Sequence, residues 1–368
     1  MADLTVRRVE GFQLHDRFVL VKLTASDGSS GWGEAVATSE GSALDALERA
    51  APLVLGRDIF HTGPLSRDLL RQGYRFGGGA HAAAASAVDI ALHDLQGRVL
   101  HRPVWSLLGG RFRQRAAVYA SAMRVGRTPD EEAAKVATLH AEGYTTVKLH
   151  TATVWGLEGV PDNTVATVTA VRAAVADRVR VMVDVNNAFT AADALRVGRA
   201  LQELGVTHFE EPVAPWDLDG YARLATALDL DIAAGEQTHT LTGFRDLIGV
   251  GKVDVLQPNI TACGGYTAGM KIAALAEAAS RRIVCHNTEP TLGTVAHLHY
   301  WASVPLCDRP QEYFGEDFHP LRDETPVLAE PLAVHAGEIP IPDGPGLGVE
   351  VDEAVVRHHA QRTLTRKT

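Results

Sequence analysis

The sequence has few cysteines, few aromatic residues and no long apolar run. Its 368 residues include only Cys263, Cys285 and Cys307, without CxxC spacing, and 6% aromatic side chains. We therefore expect neither a disulfide framework nor a zinc site built from cysteines. We also expect the protein to lie in a reducing compartment. No stretch approaches the roughly 18 uninterrupted apolar residues of a membrane span, and the first residues lack the apolar core of a signal peptide. These absences predict a cytoplasmic protein with no membrane partner.

Basic residues are also fewer than acidic ones. Lysine and arginine total 35 against 45 aspartates and glutamates, which gives a formal charge of −10, and the basic residues are scattered rather than clustered. This pattern argues against a nucleic-acid partner, which would need a basic surface. It leaves a small-molecule carboxylate substrate possible, because local charge in a site outweighs net charge.

The predicted pattern of strands and helices changes twice along the chain. Short strand patterns (TVRRVEGF, RFVLVKLTAS, GWGEAVAT) predict an antiparallel meander, followed by helical patterns such as HAAAASAVDIALHDLQGRVL. From about Ala116, eight strand candidates alternate with helices, which predicts an α/β fold with a parallel barrel. Short strands and turns return from about Pro326. We predict an α+β capping domain at 1–113, a β/α barrel at 114–325 and a C-terminal segment at 326–368 that returns to the capping domain.

Three acidic residues lie at the ends of three successive barrel strands. They are Asp184 in VRVMVDV, Glu210 in THFEEP and Glu236 in LDIAAGEQ, and each is 26 residues from the next. The carboxyl ends of barrel strands meet at one rim, where active sites are built. Three carboxylates there would repel one another unless a hard cation held them, and Mg²⁺ prefers oxygen ligands. The spacing therefore predicts a Mg²⁺ site.

Several motifs together carry a family resemblance. They are GWGEA, the helix SAVDIALHDLQG followed by LLGG, the ordered set VDVN, FEEP and AAGE, and the late PDGPGLGVE. With them the chain resembles the enolase superfamily, in its mandelate racemase and muconate lactonizing enzyme-like branch, over almost its whole length. The resemblance implies a modified seven- or eight-stranded TIM barrel, with the capping domain formed by the N-terminal region and the C-terminal tail. It also implies bound Mg²⁺, removal of a proton next to a carboxylate to give an enediolate, and a homo-oligomer (dimer or octamer).

The resemblance assigns roles to the second barrel strand. Asp184, Glu210 and Glu236 match the metal ligands, and Glu211 is expected to support them. Lys148 and His150 are two apart in a strand, so both side chains can reach the site. Relatives commonly carry Lys-x-Lys here, which implies Lys148 near the substrate carboxylate and a base at the place of His150. A histidine can abstract a proton, since its usual pKa is about 6.5; alternatively, it only hydrogen-bonds substrate hydroxyls.

His286, in RIVCHN, matches an acid or base on the opposite face of the substrate in racemase-like relatives. An aspartate on the sixth strand normally pairs with it, whereas this sequence has Asn259. Asparagine can orient an imidazole but cannot stabilise the imidazolium by charge. We therefore expect His286 to hold its proton less firmly than the usual dyad histidine.

Further candidates concern substrate binding. Glu312 matches a glutamate that hydrogen-bonds the substrate carboxylate in relatives, and Asn186 shares the strand side of Asp184. In the capping domain, two predicted loops overhang the site, one with His15, Asp16 and Arg17 and one with Arg75 in the glycine-rich GYRFGGGA. The segment 150–163, with Trp155, is expected to narrow the entrance. The other thirteen histidines are mostly expected to be surface or capping groups.

These features favour a Mg²⁺-dependent dehydratase that converts an aldonate or aldarate to a 2-keto-3-deoxy acid. His286 would protonate the leaving hydroxyl, and His150, Asn186 and Asn259 would meet substrate hydroxyls. The absence of a lysine from VDVLQPN argues against muconate-cyclising and amino-acid-racemising relatives. The alternatives are a racemase, epimerase or cycloisomerase that uses His150 and His286 on opposite faces, and a barrel that only binds a sugar acid.

Overall fold

The structure, a computed structural model, describes residues 4–15, 18–36, 42–76, 78–122, 127–152, 162–314 and 320–368. Its strands are β1 (Val6–Leu14), β2 (Phe18–Ala25), β3 (Ser30–Val36), β4 (Arg115–Ala122), β5 (Thr146–His150), β6 (Arg180–Asp184), β7 (His208–Glu210), β8 (Asp231–Ala234), β9 (Val255–Leu256), β10 (Arg282–Ile283), β11 (Gln311–Tyr313), β12 (Glu338–Pro340) and β13 (Arg362–Lys367). Its helices are α1 (Ser42–Val54), α2 (Thr62–Phe76), α3 (Gly79–Leu100), α4 (Val104–Leu107), α5 (Pro129–Ala141), α6 (Thr164–Val175), α7 (Ala191–Glu203), α8 (Leu218–Ala227), α9 (Leu241–Gly249), α10 (Gly265–Ala278), α11 (Leu292–Ser303), α12 (Pro320–Asp323) and α13 (Glu353–His359), with a 3-10 turn at Ala176–Arg178.

The capping sheet is antiparallel, in the order β13-β1-β2-β3. Helix α3 packs directly on β3, and this close approach explains the glycines of GWGEA. A Cβ on Gly31 or Gly33 would collide with the helix backbone at Ala91 or Ala87. Glu34 follows Gly33 and points to the opposite face of the sheet, toward the barrel. There its carboxylate accepts a hydrogen bond of 2.6 Å from the backbone N–H of Gly293 in α11.

The second sheet forms the barrel. Its parallel strands follow the order β10-β9-β8-β7-β6-β5-β4-β11, and β12 adds antiparallel to β4. Side chains join the two ends of this sheet. Gln311 accepts a hydrogen bond of 2.9 Å from the backbone of Cys285 and donates one of 3.2 Å to that of Ile283. The Glu312 carboxylate likewise accepts from the Asn287 backbone at 2.9 Å. In the described residues, this architecture confirms the predicted barrel with its α+β cap.

The barrel interior changes from apolar to polar along the strands. An apolar group fills its middle, formed by Tyr119, Met182, Ala233, Val255 and Val284. Because side chains in a strand alternate with a period of two, the residues two positions further point to the same side. On four of these strands those residues are Ser121, Asp184, Gln257 and His286. The polar layer therefore rests on an apolar floor at the carboxyl ends of the strands.

Local sequence signals start several barrel helices. Thr128, Thr190 and Thr240 accept a backbone N–H from the first turn of α5, α7 and α9, as N-cap residues do. One local prediction was wrong: Arg75 lies in the last turn of α2, not in a loop. Gly73 does not break this helix, because it allows close packing on α3; a Cβ there would lie 2.9 Å from that of His81.

The tail contacts both layers, since β12 pairs with β4 and β13 pairs with β1. The domain boundaries at 113 and 325 and the homo-oligomeric state stay predictions. In the described ranges, no helix combines the length and apolar character needed to cross a membrane.

Candidate active site

Three carboxylates converge at the polar end of the barrel. Oxygen atoms of Asp184, Glu210 and Glu236 all lie within 4.8 Å of one another. Asp184 and Glu210 end β6 and β7 side by side in register, and Glu236 follows β8 by two residues. Burial raises the pKa of Asp184 and Glu236, and the negative charge of Glu210 adds to both shifts. A divalent cation would relieve this repulsion, and an all-oxygen donor set fits Mg²⁺.

Lys148 lies beneath the trio, with a fully buried side chain. Its Nζ is 2.7 Å from Glu210 Oε1, 2.7 Å from Glu312 Oε1 and 3.5 Å from Asp184 Oδ2. Burial opposes the charge, but Glu210 and Glu312 raise the pKa of Lys148 well above its usual value. An ammonium held in this way has no lone pair with which to accept a proton.

His150 lies beside the trio, and each of its two ring nitrogens has a hydrogen-bond partner. Its Nδ1 is 3.2 Å from Asn186 Oδ1, and its Nε2 is 3.2 Å from Ser121 Oγ. Ser121 in turn donates a hydrogen bond of 2.7 Å to Glu312. Burial and the Lys148 ammonium lower the pKa of His150 to about 4. The ring is therefore neutral at pH 7 and chemically able to take a proton.

His286 lies on the other flank, beyond β10. Its Nε2 is 3.5 Å from Glu236 Oε2, and its Nδ1 is 3.0 Å from Asn259 Nδ2. Burial lowers its pKa, but the carboxylates of Glu236 and Glu312 outweigh this effect, so the pKa of His286 is raised overall. The predicted contact between Asn259 and His286 is present.

The loops after β6 and β7 hold strained residues that orient the site. Asn186, Asn187 and Glu211 have φ of 43°, 64° and 40°, the left-handed region that few non-glycine residues adopt. Asn187 donates a hydrogen bond of 2.7 Å to Glu211 Oε2. Glu211 is therefore held by the loop rather than by the trio, in agreement with a supporting place.

His15 is the one capping-domain candidate whose side chain the structure describes, and it is not joined to this cluster. His15 Nε2 lies 3.1 Å from Thr325 Oγ1, and no hydrogen bond in the described residues connects it to the trio. The side chain of Arg75, together with Asp16, Arg17 and Trp155, lies outside the residues that the structure describes.

The structure adds polar residues that the sequence reasoning passed over. Ser121 bridges His150 and Glu312, and Thr261 contacts Asn259. His208 is buried and lies 3.2 Å from Glu210 Oε2. Gln257 is fully buried, and neither amide atom has a hydrogen-bond partner in the part of the chain that the structure describes. Strand alternation from Asp184 across the sheet was the one signal that pointed to Ser121 and Gln257.

Comparison with known proteins identifies the family. The profile of the mandelate racemase / muconate lactonizing enzyme N-terminal domain matches residues 10–109, and the enolase C-terminal domain-like profile matches residues 131–355. D-galactarolactone cycloisomerase of Agrobacterium fabrum is 33% identical over 348 residues, which cover 91% of this chain and 89% of the relative. D-galactonate dehydratase of Ralstonia nicotianae is 31% identical over 361 residues, 96% of this chain and 94% of the relative.

A solved structure agrees with both relatives. A mandelate racemase/muconate lactonizing protein from Paracoccus denitrificans, complexed with magnesium, matches with a TM-score of 0.87 and 31% identity over 99% of both chains. The relatives include a lyase and an isomerase, the enzyme class predicted from the sequence and its alternative. The chain belongs to the mandelate racemase and muconate lactonizing enzyme family of the enolase superfamily.

Proposed function

We propose that this protein catalyses a Mg²⁺-dependent β-elimination on a sugar acid. A proton leaves the carbon next to the carboxylate, an oxygen leaves the following carbon, and the resulting enol tautomerises to a 2-keto-3-deoxy acid. One observation carries the proposal: an imidazole stands on each flank of the acidic trio, with His150 Nδ1 3.5 Å from Asp184 and His286 Nε2 3.5 Å from Glu236.

Asp184, Glu210 and Glu236 would hold Mg²⁺, which supplies positive charge opposite the developing negative charge of the substrate. Lys148 adds a fixed ammonium below this point, and its contacts with Glu210 and Glu312 keep it protonated. Lys148 is therefore an electrostatic group in this proposal, and His150 is the base.

The His150 imidazole takes the proton from the carbon next to the carboxylate, with Nε2 turned from Ser121 Oγ toward the substrate. After the transfer, the Nε2–H returns to Ser121 Oγ, whose own hydroxyl donates to Glu312. This chain disperses the charge of the protonated ring toward a carboxylate. His286 faces the pocket from the other flank and donates a hydrogen bond to the departing oxygen.

Two reactions share this chemistry. Loss of water from an aldonate or aldarate would make the protein a dehydratase, as in the name of the Ralstonia nicotianae relative. Ring opening of a sugar lactone, with its ring oxygen leaving as a carboxylate, would make it a cycloisomerase, as in the name of the Agrobacterium fabrum relative.

Incubation with a set of sugar acids and their lactones, followed by semicarbazide detection of 2-keto products, tests the proposal. We expect a keto acid that forms only with Mg²⁺ present. In D₂O, a deuterated epimer as the sole product would show that the protein racemises or epimerises its substrate and does not catalyse the elimination. Binding without any turnover of the set would favour a barrel that only binds sugar acids.

A further inference from the structure

We propose that Glu34 of the capping sheet is a positioning residue for the proposed elimination. It acts through the first turn of α11, where Gly293 and His297 connect it to the turn after β9. That turn carries Asn259, whose side chain contacts His286. The inference rests on the proposed function, and it adds a residue that makes no hydrogen bond to the acidic trio in the described part of the chain.

Glu34 caps α11 from the neighbouring sheet. Helix α11 begins at Leu292, and the side chain of its N-cap residue, Thr291, accepts no backbone N–H of the first turn. Instead, the fully buried Glu34 extends from β3, and its Oε2 accepts hydrogen bonds of 2.6 Å from the Gly293 N–H and 3.0 Å from Thr291 Oγ1. The first N–H groups of a helix need such an acceptor from outside the helix. The capping sheet therefore fixes the start of a barrel helix.

His297 lies one turn further along α11 and joins this helix to the turn after β9. Its Nε2 lies 3.0 Å from the Ile260 backbone nitrogen, and its Nδ1 lies 2.8 Å from the Gly293 carbonyl oxygen. A backbone N–H only donates, so Nε2 accepts, and the ring hydrogen on Nδ1 donates to Gly293. Burial lowers the pKa of His297 to about 4, which keeps the ring neutral in this role. Gly293 is thus held at its nitrogen by Glu34 and at its oxygen by His297.

The Ile260 nitrogen belongs to the peptide bond that follows Asn259. The next N–H, that of Thr261, donates to Asn259 Oδ1 at 2.8 Å. Asn259 Nδ2 lies 3.0 Å from His286 Nδ1. His297 and the Asn259 side chain therefore hold two consecutive N–H groups, and these contacts fix the amide that meets His286. A continuous series of hydrogen bonds thus connects the capping sheet to His286.

Loss of the Glu34 carboxyl group would leave the buried Gly293 N–H without an acceptor. Such a group is costly, so the first turn of α11 would shift toward another acceptor and move the Gly293 carbonyl relative to His297. A displacement of about 1 Å at a reacting group can lower a rate about 100-fold. Because Glu34 does not contact the substrate in this proposal, the loss should appear in kcat and not in KM.

Steady-state kinetics of Glu34→Leu and Glu34→Gln test this role, on a sugar acid that the wild type converts, with saturating Mg²⁺ and well below the Tm of each variant. Leucine cannot accept the Gly293 N–H, whereas glutamine can. We expect Glu34→Leu to lower kcat by about 10- to 100-fold with little change in KM, and Glu34→Gln to keep most of the wild-type kcat. A wild-type kcat in Glu34→Leu, a loss confined to KM, or an equal loss in both variants would overturn the inference.

A double-mutant cycle distinguishes one series of contacts from two independent ones. His297→Phe keeps a ring beside Trp301, whose centroid lies 5.6 Å from that of His297, but loses both hydrogen bonds. We expect a loss of kcat similar to that of Glu34→Leu, and no further loss when the two changes are combined. A combined loss equal to the product of the single losses would show that Glu34 and His297 act separately. His297→Phe also tests the series if Glu34→Leu does not fold, since a wild-type kcat in His297→Phe would contradict it.

Hydrogen exchange followed by mass spectrometry tests the connection without turnover. His297 protects the Ile260 N–H, so the segment 257–264 should exchange faster in Glu34→Leu and His297→Phe than in the wild type and Glu34→Gln. Helix α6 follows β5, on the far side of the barrel from β9, and should exchange at the wild-type rate in all four proteins. An unchanged rate in 257–264, or an equal rise in α6, would overturn the inference.

Failure of the proposed function gives a different result. If the wild type converts no sugar acid to a keto product, the elimination itself fails. The exchange rates then still show whether Glu34 holds the turn at Asn259.

Discussion

The ammonium nitrogen of Lys148 lies 2.7 Å from a carboxylate oxygen of Glu210, and neither side chain reaches solvent. Glu312 takes a second hydrogen of the same ammonium at 2.7 Å. The pKa of Glu210 is held well below its usual range, because the Lys148 charge outweighs the effect of burial. The pair therefore keeps one acid of the proposed Mg²⁺ site ionised, and Lys148 contacts two of the proposed metal ligands as well as Glu312.

Lys148→Met should leave three buried acids without their fixed counter-charge. Breaking a buried ion pair by removing one partner costs about 3–5 kcal/mol, so we expect a loss of this order in the free energy of unfolding by urea, together with loss of turnover. Added Mg²⁺ should restore part of the stability and none of the turnover. Lys271→Met, at an exposed position of α10, is the matched control. Unchanged stability without metal would show that the pair is not formed.

Glu236→Ala should separate metal binding from folding. Glu236 is the least buried of the trio, so its removal should change the Tm of the metal-free protein little. Mg²⁺ at about 100 times its Kd should stabilise the wild type by about 2.7 kcal/mol, and this gain should vanish in the variant, along with activity. Full turnover of chelator-treated wild type would contradict the metal proposal.

Glu34 should make stability depend on pH. Burial and the nearby Glu289 carboxylate raise its pKa to about 8, against a usual value of 4.5. The folded state thus binds more protons than the unfolded state between these values, so the contribution of Glu34 is full below pH 4.5 and is lost as the pH rises through about 8.

Glu34→Gln can still accept the Gly293 and Thr291 hydrogen bonds but cannot ionise. We expect its unfolding free energy to fall less than that of the wild type between pH 5 and 8, a range bracketed by the two pKa values of Glu34. Glu330→Gln, at an exposed position, should keep the wild-type slope. Parallel curves for wild type and Glu34→Gln would mean that Glu34 is already ionised in the folded protein.

The barrel and the acidic trio were predictable because they depend on local periodicity. One strand and one helix separate Asp184 from Glu210 and Glu210 from Glu236, each pair 26 residues apart, although Glu236 lies two residues beyond the end of β8. The parallel topology brings the carboxyl ends of these strands to one rim of the barrel. A shared site of the three acids can therefore be predicted without knowledge of the rest of the chain.

Other residues depend on contacts between distant segments. The GYRFGGGA run predicted a loop, but Gly73 is a packing position between α2 and α3, which only the folded pair reveals. Asn259 Oδ1 accepts a hydrogen bond from the backbone N–H of Thr261, two residues away. The orientation of the Asn259 amide that follows from this contact cannot be predicted without the backbone path between the two residues. Ser121 and Gln257 become visible only once the interior pleat of the barrel is known.

Two buried glutamines on neighbouring parts of the barrel should respond oppositely to the same substitution. Both amide atoms of Gln257 lack partners in the described residues, whereas Gln311 uses its oxygen on Cys285 and its nitrogen on Ile283. An unpaired buried polar group costs about 1–3 kcal/mol. Gln257→Leu should therefore leave the free energy of unfolding equal to or above that of the wild type. Gln311→Leu removes the side-chain partner of three backbone groups, those of Cys285, Ile283 and Arg309, and should lower the free energy of unfolding by at least about 1–3 kcal/mol.

Steady-state kinetics show whether the Gln257 amide binds the substrate. If its free amide meets a substrate hydroxyl, Gln257→Leu should raise KM by about 2- to 10-fold, since one hydrogen bond is worth about 0.5–1.5 kcal/mol, and should leave the Mg²⁺ affinity unchanged. Urea unfolding and steady-state kinetics of both variants, in the same buffer, measure the contrast. A Gln257→Leu protein that is less stable than the wild type and has an unchanged KM would show that this amide serves the fold and not the substrate.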